Sequence, residues 1–318
     1  MEDVIIIGAG PSGLAVAIEA KKNGLKYVVI EKGGVVNSLQ NFPAEMTFFS
    51  TPELLEIGNI PFTSAQMRPT RAEGLEYYTR IVDHFHLNCR FFEAVTAVIH
   101  SSNSFSVKTS KASYEGRNVV LATGYYDHPN ILHIPGETLP KVSHYYNEPY
   151  RYFQQSVLII GAKNSAAIAA LELYRHGANV TLVHRGERLS DKIKYWILPD
   201  LENRIKEKSI AALFNTQVTS ITENSVWLKN AEGEFEIEND FVFALTGYHP
   251  DYDFLRTCGI ELNEEDNSPN RNSETLETNV KGLYVAGSIV AGKNNNSIFI
   301  ENGRLHGKTI IDAIVKCL

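Results

Sequence analysis

A hydrophobic run that ends in closely spaced glycines occurs twice in this chain, and this repeat limits the possible folds more than any other feature. The first copy consists of Val4–Ile7, the turn Gly8-Ala9-Gly10-Pro11-Ser12-Gly13, the segment Leu14–Lys22 and a second hydrophobic run, Tyr27–Ile30. A β-branched run without polar alternation is typical of a strand buried in a parallel sheet. The pattern therefore predicts a right-handed strand–helix–strand unit with a glycine-rich turn before its helix.

The second copy begins at Ser156 and repeats the same order of elements. It contains the predicted strand Val157–Ile160, the turn Gly161-Ala162-Lys163-Asn164-Ser165-Ala166, the predicted helix Ala167–His176 and the predicted strand Val180–Val183. Two such units in 318 residues predict an α/β chain with two Rossmann-like dinucleotide-binding domains.

The rest of the chain supplies further predicted strands and one long helix. Strands are expected at Phe91–His100, Ser104–Thr109, Val119–Gly124, Phe241–Gly247 and Leu283–Gly287. A final helix is predicted over about residues 298–315, because Ile310, Ile311 and Ile314 share one helical face.

The glycine spacing of the first turn fits a pyrophosphate. Gly8 allows a sharp turn, Gly10 lets the backbone approach the phosphates, and Gly13 lets the helix pack against the strand. The helix N-terminus adds unpaired N–H groups and a partial positive charge. Glu31 ends the second strand, where a carboxylate can accept hydrogen bonds from a ribose, so the first unit is predicted to bind a dinucleotide.

The second turn departs from this pattern in a way that bears on the type of nucleotide. Lys163 takes the place of the middle glycine and Ala166 that of the third. The strand that follows ends in His184-Arg185-Gly186-Glu187-Arg188, without the acid that would hold an unphosphorylated ribose. Basic residues there would neutralise a 2′-phosphate, which favours NADPH over NADH, although the same cations could also form an ordinary solvated surface.

Charge and cysteine content exclude several classes of protein. Thirty basic and 37 acidic side chains give a net charge of −7, whereas a nucleic-acid binder needs a basic surface. No hydrophobic run reaches the roughly 18–20 residues that span a bilayer, and no signal peptide is predicted. Cys89, Cys258 and Cys317 lie too far apart for a CxxC pair, which argues against a disulfide framework or a zinc ribbon. We expect a soluble, cytoplasmic protein without a metal site.

The two turns, the Thr-Gly strand ends at Thr123-Gly124 and Thr246-Gly247, and Leu283–Gly287 together resemble the FAD-dependent pyridine nucleotide–disulfide oxidoreductases. The resemblance covers essentially the whole chain, and the length is similar to that of the small, thioredoxin-reductase-like branch. It implies a discontinuous FAD domain at residues 1–125 and 248–318, a linker at 126–149, and an inserted NADPH domain at 150–247. It also implies a homo-oligomer.

Longer blocks of sequence are similar to the bacillithiol disulfide reductase family. These blocks are Glu31–Leu39, Thr47–Thr51, Leu55–Gly58, Gly161–Ala166, Thr246–Asp251 and Ile298–Arg304. This resemblance implies an NADPH-dependent flavoenzyme linked to reduction of the oxidised low-molecular-weight thiol bacillithiol. The expected electron acceptor is that small-molecule disulfide, a related one, or a small redox protein.

The motifs and the resemblance together predict two sets of cofactor contacts. FAD contacts are predicted for Gly8, Gly10, Pro11, Ser12, Gly13, Glu31, Lys32, Asn37, Thr123, Gly124, Gly287, Ser288 and Ile298. NADPH contacts are predicted for Gly161, Lys163, Asn164, Ser165, Ala166, His184, Arg185 and Arg188. In the related fold, the helix near Ile298 points its N-terminus at the flavin and would stabilise its anionic reduced form, with Asn296 and Ser297 as predicted caps. The same residues also fit a helix that only packs.

The catalytic residues remain unknown at this point. Members of the family commonly carry a cysteine in the first glycine turn, proposed as the redox-active thiol, whereas this chain has Ser12. A serine hydroxyl cannot form a mixed disulfide, so we expect Ser12 to bind a phosphate or to cap the helix. His144 and His306 are candidate proton donors, with a structural role as the alternative for each, and each cysteine is expected to be a small buried hydrophobe.

Three other functions stay open. A ferredoxin or flavodoxin–NADP oxidoreductase of the thioredoxin-reductase-like type also lacks CxxC. A flavin monooxygenase is similar at Ala122-Thr123-Gly124 and at Pro135-Gly136 with His144, and a non-catalytic nucleotide sensor would need only the two turns. Thioredoxin reductase itself is excluded, because it requires a dithiol pair in the inserted domain.

Overall fold

The computed structural model describes residues 1–101, 104–294 and 297–317. The chain divides into two compact units. The first unit holds Met1–Asn41, Glu45–His128 and the chain from Tyr248 onward, and the second holds Phe42–Ala44 and Pro129–Gly247. The assignment of FAD to a domain at 1–125 and 248–318 and of NADPH to a domain at 150–247 stays a prediction.

Strands and helices alternate over much of the described chain. The strands are β1 (Glu2–Ile7), β2 (Tyr27–Ile30), β3 (Cys89–Arg90), β4 (Val95–Ser101), β5 (Ser104–Thr109), β6 (Ser113–Leu121), β7 (Val142–Ser143), β8 (Ser156–Ile160), β9 (Asn179–Val183), β10 (Ala211–Leu213), β11 (Gln217–Ile221), β12 (Ser225–Asn230), β13 (Gly233–Glu238), β14 (Phe241–Ala244) and β15 (Leu283–Val285). The helices are α1 (Pro11–Lys22), α2 (Asn37–Gln40), α3 (Pro52–Leu55), α4 (Arg71–His84), α5 (Asn164–Arg175), α6 (Leu198–Lys206), α7 (Tyr252–Thr257), α8 (Ile300–Gly303) and α9 (His306–Cys317), with 3₁₀ turns at Tyr150–Tyr152 and Gly287–Ala291.

The first unit is built on one mixed sheet in the order β3-β2-β1-β6-β5-β4, with β15 also paired to β6. The pairs of β1 with β2, β1 with β6, and β6 with β15 are parallel, while β4, β5 and β6 pair antiparallel. Residues Val4–Ile7 are buried on both faces, as the unbroken hydrophobic run predicts. The carboxyl ends of β1, β6 and β15 therefore lie side by side at one edge of the sheet.

Helices α1 and α9 pack closely together in the first unit. Gly307 of α9 lies against the backbone of Ala15 in α1, and a Cβ at Gly307 would come 2.6 Å from the Ala15 carbonyl carbon. Almost every α1 residue from Gly13 to Ala20 is buried, because the sheet and α9 cover different sides of this helix. The C-terminal helix thus completes the core that the first glycine turn begins.

The second unit contains a five-stranded parallel sheet in the order β10-β9-β8-β14-β7. A separate antiparallel sheet is formed by β11, β12 and β13. Helix α5 buries alanines and leucines against the parallel sheet, which matches the second predicted strand–helix–strand unit. The α/β fold class with two Rossmann-type sheets is confirmed.

The strands predicted to end at Gly124, Gly247 and Gly287 end instead at Leu121, Ala244 and Val285, and two further predicted elements are wrong in part. The strand expected at Phe91–His100 begins only at Val95, because Phe92 has a positive φ of 54° and the backbone N–H groups of Phe92 and Glu93 bond to Gly33 and Glu31. The single helix expected from about residue 298 is divided into α8 and α9. Hydrophobic periodicity did not detect either break, and the late start of β4 depends on backbone contacts distant in sequence.

Two tyrosines of α4 fix the segment that contains α3. The fully buried Tyr78 hydroxyl donates to the Leu55 carbonyl at 2.8 Å. The Tyr77 hydroxyl accepts from the Ile57 N–H at 3.0 Å and donates to the Ile60 carbonyl at 2.8 Å. These bonds satisfy backbone groups that would otherwise be buried without partners.

Tyr78→Phe should lower the free energy of unfolding by about 1–2 kcal/mol, because the buried Leu55 carbonyl loses its donor. Urea unfolding followed by circular dichroism measures this change. Tyr195→Phe is the control, since Tyr195 is 79% exposed and its hydroxyl should contribute within about 0.5 kcal/mol. Equal effects of the two substitutions would contradict the assigned role of Tyr78.

Candidate functional site

The first glycine turn connects β1 to α1 by a very close backbone approach. Gly8 has φ +108°, and a Cβ there would overlap the Ala122 carbonyl. A Cβ at Gly13 would overlap the carbonyl of Gly8. A Cβ at Gly10 would meet nothing within 4 Å, so this position lies at an open surface where another molecule's backbone or phosphates can approach.

The N-terminus of α1 can accept an anion. Its N-cap is Gly10, which provides no side-chain cap, and Pro11 occupies the first turn. The first turn contains no acidic residue, so no carboxylate of the helix competes for the N–H groups. This geometry fits a pyrophosphate. Ser12 does not cap the helix, which corrects one of its two expected roles.

Glu31 holds the turn from the end of β2. Its carboxylate is 7% exposed and accepts hydrogen bonds from the Ala9 N–H at 2.8 Å and the Gly33 N–H at 2.9 Å. Burial raises the pKa of Glu31 and outweighs the opposing effect of these two bonds. The neighbouring Lys32 pairs with Asp127 at 2.9 Å. A ribose hydroxyl can donate to the remaining lone pairs of the carboxylate.

The Ser12 side chain lies between two glycines that come late in the chain. Its Oγ would be 2.8 Å from a Cβ at Gly287 and 2.9 Å from a Cβ at Gly303. Glycine at both positions leaves the space that the hydroxymethyl group fills. The turn after β1, the turn after β15 and α8 therefore meet at Ser12.

His306 is half-buried beside the same glycine. Its Nδ1 accepts a hydrogen bond from the Gly287 N–H at 3.0 Å. Burial, assisted by the charge of Arg271, lowers the pKa of His306 to about 4. The imidazole is therefore neutral at pH 7 and carries its proton on Nε2. In the described structure this histidine positions Gly287, and its role as a proton donor stays a prediction.

The other predicted FAD residues also belong to the first unit. Gly124 has a positive φ of 72° and follows Thr123 after β6, while Ser288 lies in the 3₁₀ turn that begins at Gly287. Asn37 starts α2, and its side chain would overlap a Cβ at Gly33. Ile298 lies just before α8.

Asn302 caps α8 in place of the predicted residues. The N-cap of this helix is Phe299, whose N–H donates to the Asn302 Oδ1 at 2.8 Å. Ser297 instead donates its hydroxyl to the Asn294 carbonyl, so its prediction as a cap is wrong. Asn296 lies outside the described residues.

The second glycine turn lies in the second unit, and only the first of its three motif positions requires glycine. Gly161 has φ +142°, and a Cβ there would come 2.6 Å from the Leu245 carbonyl oxygen. Lys163 is the N-cap of α5 in extended backbone, with φ −113°, which any residue can adopt. Ala166 is buried where the third glycine would lie, and α5 has no side-chain cap and no acid in its first turn.

Several basic side chains lie close to this turn. Burial lowers the pKa of His184, and the nearby charges of Arg185 and Lys163 lower it further. Across the described part of the second unit, no carboxylate lies within 4 Å of Lys163 or Arg185. Arg188 differs, because it pairs with Asp191 at 3.0 Å. Ser165 is exposed in the first turn of α5.

Two predicted residues of the second unit have structural partners. The Asn164 Oδ1 accepts from the Lys194 N–H at 2.9 Å, and its Nδ2 donates to the Lys192 carbonyl at 3.1 Å. The His144 Nδ1 donates to the Ala244 carbonyl at 3.2 Å, and its Nε2 lies 3.4 Å from the buried Glu137 carboxylate. These contacts hold loops within the second unit.

The chain matches the family described as pyridine nucleotide-disulphide oxidoreductase over residues 5–287. It is 48% identical over 317 residues to bacilliredoxin reductase Bdr of Bacillus subtilis (strain 168), covering 99% of this chain and 98% of that protein. The chain belongs to the pyridine nucleotide-disulphide oxidoreductase family. Two solved structures of bacillithiol disulfide reductase Bdr (YpdA) are also similar: that of Staphylococcus aureus (46% identity, 99% and 98% coverage of this chain and that chain, TM-score 0.96) and that of Bacillus cereus (43%, 100% and 99%, 0.98).

This oxidoreductase is a flavoprotein that uses FAD and NAD(P)H. The predicted family, fold class and cofactor pair are confirmed, while the individual cofactor contacts stay predictions. Among the described helices, none is long and apolar enough to cross a bilayer.

Two thiols of this oxidoreductase are held in the protonated form. Burial raises the pKa of Cys89 and of Cys258 to about 12 in each case. A thiol with such a pKa carries almost no thiolate near pH 7 and is a poor nucleophile. The expectation of a buried cysteine holds for Cys258 but is wrong for Cys317, which is exposed in the last turn of α9.

Sequence reasoning missed the roles of Gly303 and Arg304, although both lie in a block that carries the family resemblance. Gly303 makes room for Ser12, as described above. The Arg304 guanidinium donates to the Glu53 carbonyl at 2.8 Å and the Glu56 carbonyl at 2.6 Å. The sequence does show a glycine followed by an arginine before a hydrophobic helix. Only the fold shows which residues these two contact.

His306→Asn should reduce the loss of stability between pH 6.5 and pH 4. The pKa of His306 is about 4 in the folded chain against 6.5 in the unfolded chain, so the unfolded state binds one more proton in this window. Stability therefore falls with falling pH, by up to about 3 kcal/mol in total. Asparagine can still accept from Gly287 but does not titrate. Urea unfolding at several pH values measures the slope, and identical slopes in both proteins would contradict this assignment.

Proposed function

We propose that this flavoprotein transfers electrons from NADPH to a disulfide of the bacillithiol type, either free or carried by a small redox protein. The observation that carries this proposal is similarity over the full length to proteins named bacilliredoxin reductase and bacillithiol disulfide reductase. The overall reaction is NADPH + H⁺ + RSSR → NADP⁺ + 2 RSH, in which the disulfide bond is cleaved and each sulfur gains a proton.

Residues of the first unit would hold FAD. Gly10 and the N-terminus of α1 would face its pyrophosphate, and Glu31 would accept from its ribose. FAD, when bound, accepts a hydride from NADPH and passes two electrons to an acceptor. Gly287, held by His306, would line the flavin end of the site.

The second unit would hold NADPH through its cationic turn. Arg185 and Lys163 lie near His184 at the ends of β8 and β9, where a dinucleotide places its phosphates. Because Arg188 is already paired with Asp191, Arg185 is the stronger candidate for the 2′-phosphate.

Arg185→Ala should raise the KM for NADPH at least tenfold and leave the KM for NADH nearly unchanged, since only NADPH carries the 2′-phosphate. Arg188→Ala is the matched control, and its effect on NADPH should be smaller because its ion pair must break before it can bind phosphate. Steady-state kinetics with both cofactors measures this. An equal loss for NADPH and NADH in Arg185→Ala would remove the reason for assigning this arginine.

Disulfide reduction in this chain would not use a thiol in the first glycine turn. Ser12 occupies that position, between Gly287 and Gly303, and the thiols of the half-buried Cys89 and the buried Cys258 are protonated. The electrons would therefore pass from the reduced cofactor to the substrate disulfide without a protein mixed disulfide at position 12.

The decisive experiment is anaerobic NADPH consumption by the FAD-loaded protein with bacillithiol disulfide, with an oxidised bacilliredoxin, or with neither. Acceleration by either disulfide supports the proposal. Reduction of the flavin by NADPH without acceleration would overturn the proposed acceptor and favour a ferredoxin or flavodoxin partner. Absence of flavin reduction would favour a nucleotide sensor.

Ser12→Ala should retain FAD and keep disulfide-dependent NADPH consumption within about threefold, because the hydroxyl takes no part in bond exchange. Ser12→Cys should also retain FAD. A loss of activity in Ser12→Ala with FAD still bound would contradict this prediction. If Ser12→Cys alone gained disulfide reductase activity, the native serine enzyme would have another acceptor.

The resemblance to a homo-oligomeric family also leads us to propose a homo-oligomer, which light scattering of the FAD-loaded protein would test.

A further inference from the structure

A loop between β9 and α6 is attached to the second glycine turn by several hydrogen bonds. We refer to residues 190–196 as the turn-docked loop. The Ser190 N–H donates to the Ala162 carbonyl at 3.0 Å, and both polar atoms of the Asn164 amide bond to Lys192 and Lys194 of the loop. Ile193 is buried and anchors the loop in the core of the second unit.

The loop carries two exposed aromatic side chains. Tyr195 is 79% exposed and Trp196 36% exposed, and their rings form an edge-to-face pair with centroids 4.8 Å apart. The Lys194 ammonium lies 5.8 Å from the Trp196 ring centroid. Large aromatic side chains left in solvent next to a binding turn are typical of residues that contact a ligand.

The position of this pair follows from the Asn164 hydrogen bonds. Asn164 is the first residue of α5, and the Lys194 backbone bonds to its side chain. Consecutive Cα atoms are about 3.8 Å apart, so the Cα atoms of Tyr195 and Trp196 lie within about 8 Å of the Lys194 Cα. The aromatic pair therefore follows directly on a residue that is hydrogen-bonded to the start of α5, where a phosphate would bind.

The surrounding charge selects the ligand. Lys163 and Arg185 lie near His184 at the turn, and Lys192 and Lys194 belong to the turn-docked loop itself. Cations beside an aromatic pair and an uncapped helix N-terminus suit an anionic ligand that also carries an aromatic base. A protein partner could bind through the aromatic pair alone. The basic side chains beside the pair are accounted for by the phosphates of a nucleotide, so we favour a nucleotide.

We propose that Tyr195 and Trp196 form an aromatic contact for NADP(H) bound at the second turn, and that Asn164 is a positioning residue that holds this contact in place. This inference rests on the proposed function for the nucleotide itself, and it adds a binding surface outside the glycine turn. The Asn164 side chain then acts through the loop and does not contact phosphate.

The two tryptophans of the chain allow a direct test on the FAD-loaded protein. Trp196 and Trp227 are the only tryptophans, and Trp227 lies on β12 with 37% exposure. Trp227→Phe leaves Trp196 as the single reporter, and Trp196→Phe leaves Trp227 as the matched control. Calorimetry with NADP⁺ measures binding independently of fluorescence.

NADP⁺ should change the Trp196 emission with the same Kd that calorimetry gives, and should leave Trp227 emission unchanged. A response to 2′,5′-ADP as well would assign the contact to the adenine half, and a response to NADP⁺ alone would assign it to the nicotinamide half. Heat of binding without a Trp196 response would overturn this inference while the proposed function stands. Absence of any NADP⁺ binding would overturn the proposed function itself.

Substitutions separate positioning from folding. Tyr195→Ala should weaken NADP⁺ about fivefold, and Tyr195→Phe, which keeps the ring, should restore the affinity. Asn164→Ala should raise the KM for NADPH by a similar factor, keep kcat within about twofold, and abolish the Trp196 response. Asn203→Ala, at an exposed position of α6, is the control. Wild-type KM and emission response in Asn164→Ala would contradict the positioning role.

Discussion

The buried carboxylate of Glu31 is the interaction on which the first unit depends. It accepts from the Ala9 and Gly33 N–H groups and so joins the turn after β1 to the segment after β2. Replacing Glu31 by an apolar residue would leave the Ala9 and Gly33 N–H groups without this acceptor, and a buried donor without a partner costs more than its bond contributes when formed. Ala9, whose N–H this carboxylate binds, lies between Gly8, which closely approaches Ala122, and Gly10, which faces open space.

The sequence predicted the elements whose pattern is local. Strand β2 has the predicted bounds, and β5 does as well, because buried β-branched runs and alternating strands leave a clear signal. The break between α8 and α9 was missed, and so was the late start of β4, where the N–H groups of Phe92 and Glu93 bond to the backbone carbonyls of Gly33 and Glu31. Backbone hydrogen bonds between segments about sixty residues apart leave no periodic signal in the sequence.

The candidate site followed the same rule. The glycines and Glu31 were predicted from spacing, and the structure places them at one edge of the sheet. The hydrogen bonds between the Asn164 side chain and a loop about thirty residues later were not predictable. Asparagine is common at helix starts, and nothing in the sequence distinguishes an asparagine that also binds a distant loop. The placement of Ser12 between Gly287 and Gly303 could not be predicted from the sequence either, since β15 must pair with β6 before these residues meet.

The division of the first unit between both ends of the chain affects the order of events during synthesis. The ribosome produces the second unit in one stretch, from Pro129 to Gly247, apart from three residues made earlier. While that unit acquires all its strands, β6 still lacks β15 and α1 still lacks α9. The hydrophobic side of α1 must then stay exposed, or be held by a chaperone, until the final helix emerges. The inserted unit is therefore the first able to fold, although the chain starts with the other one.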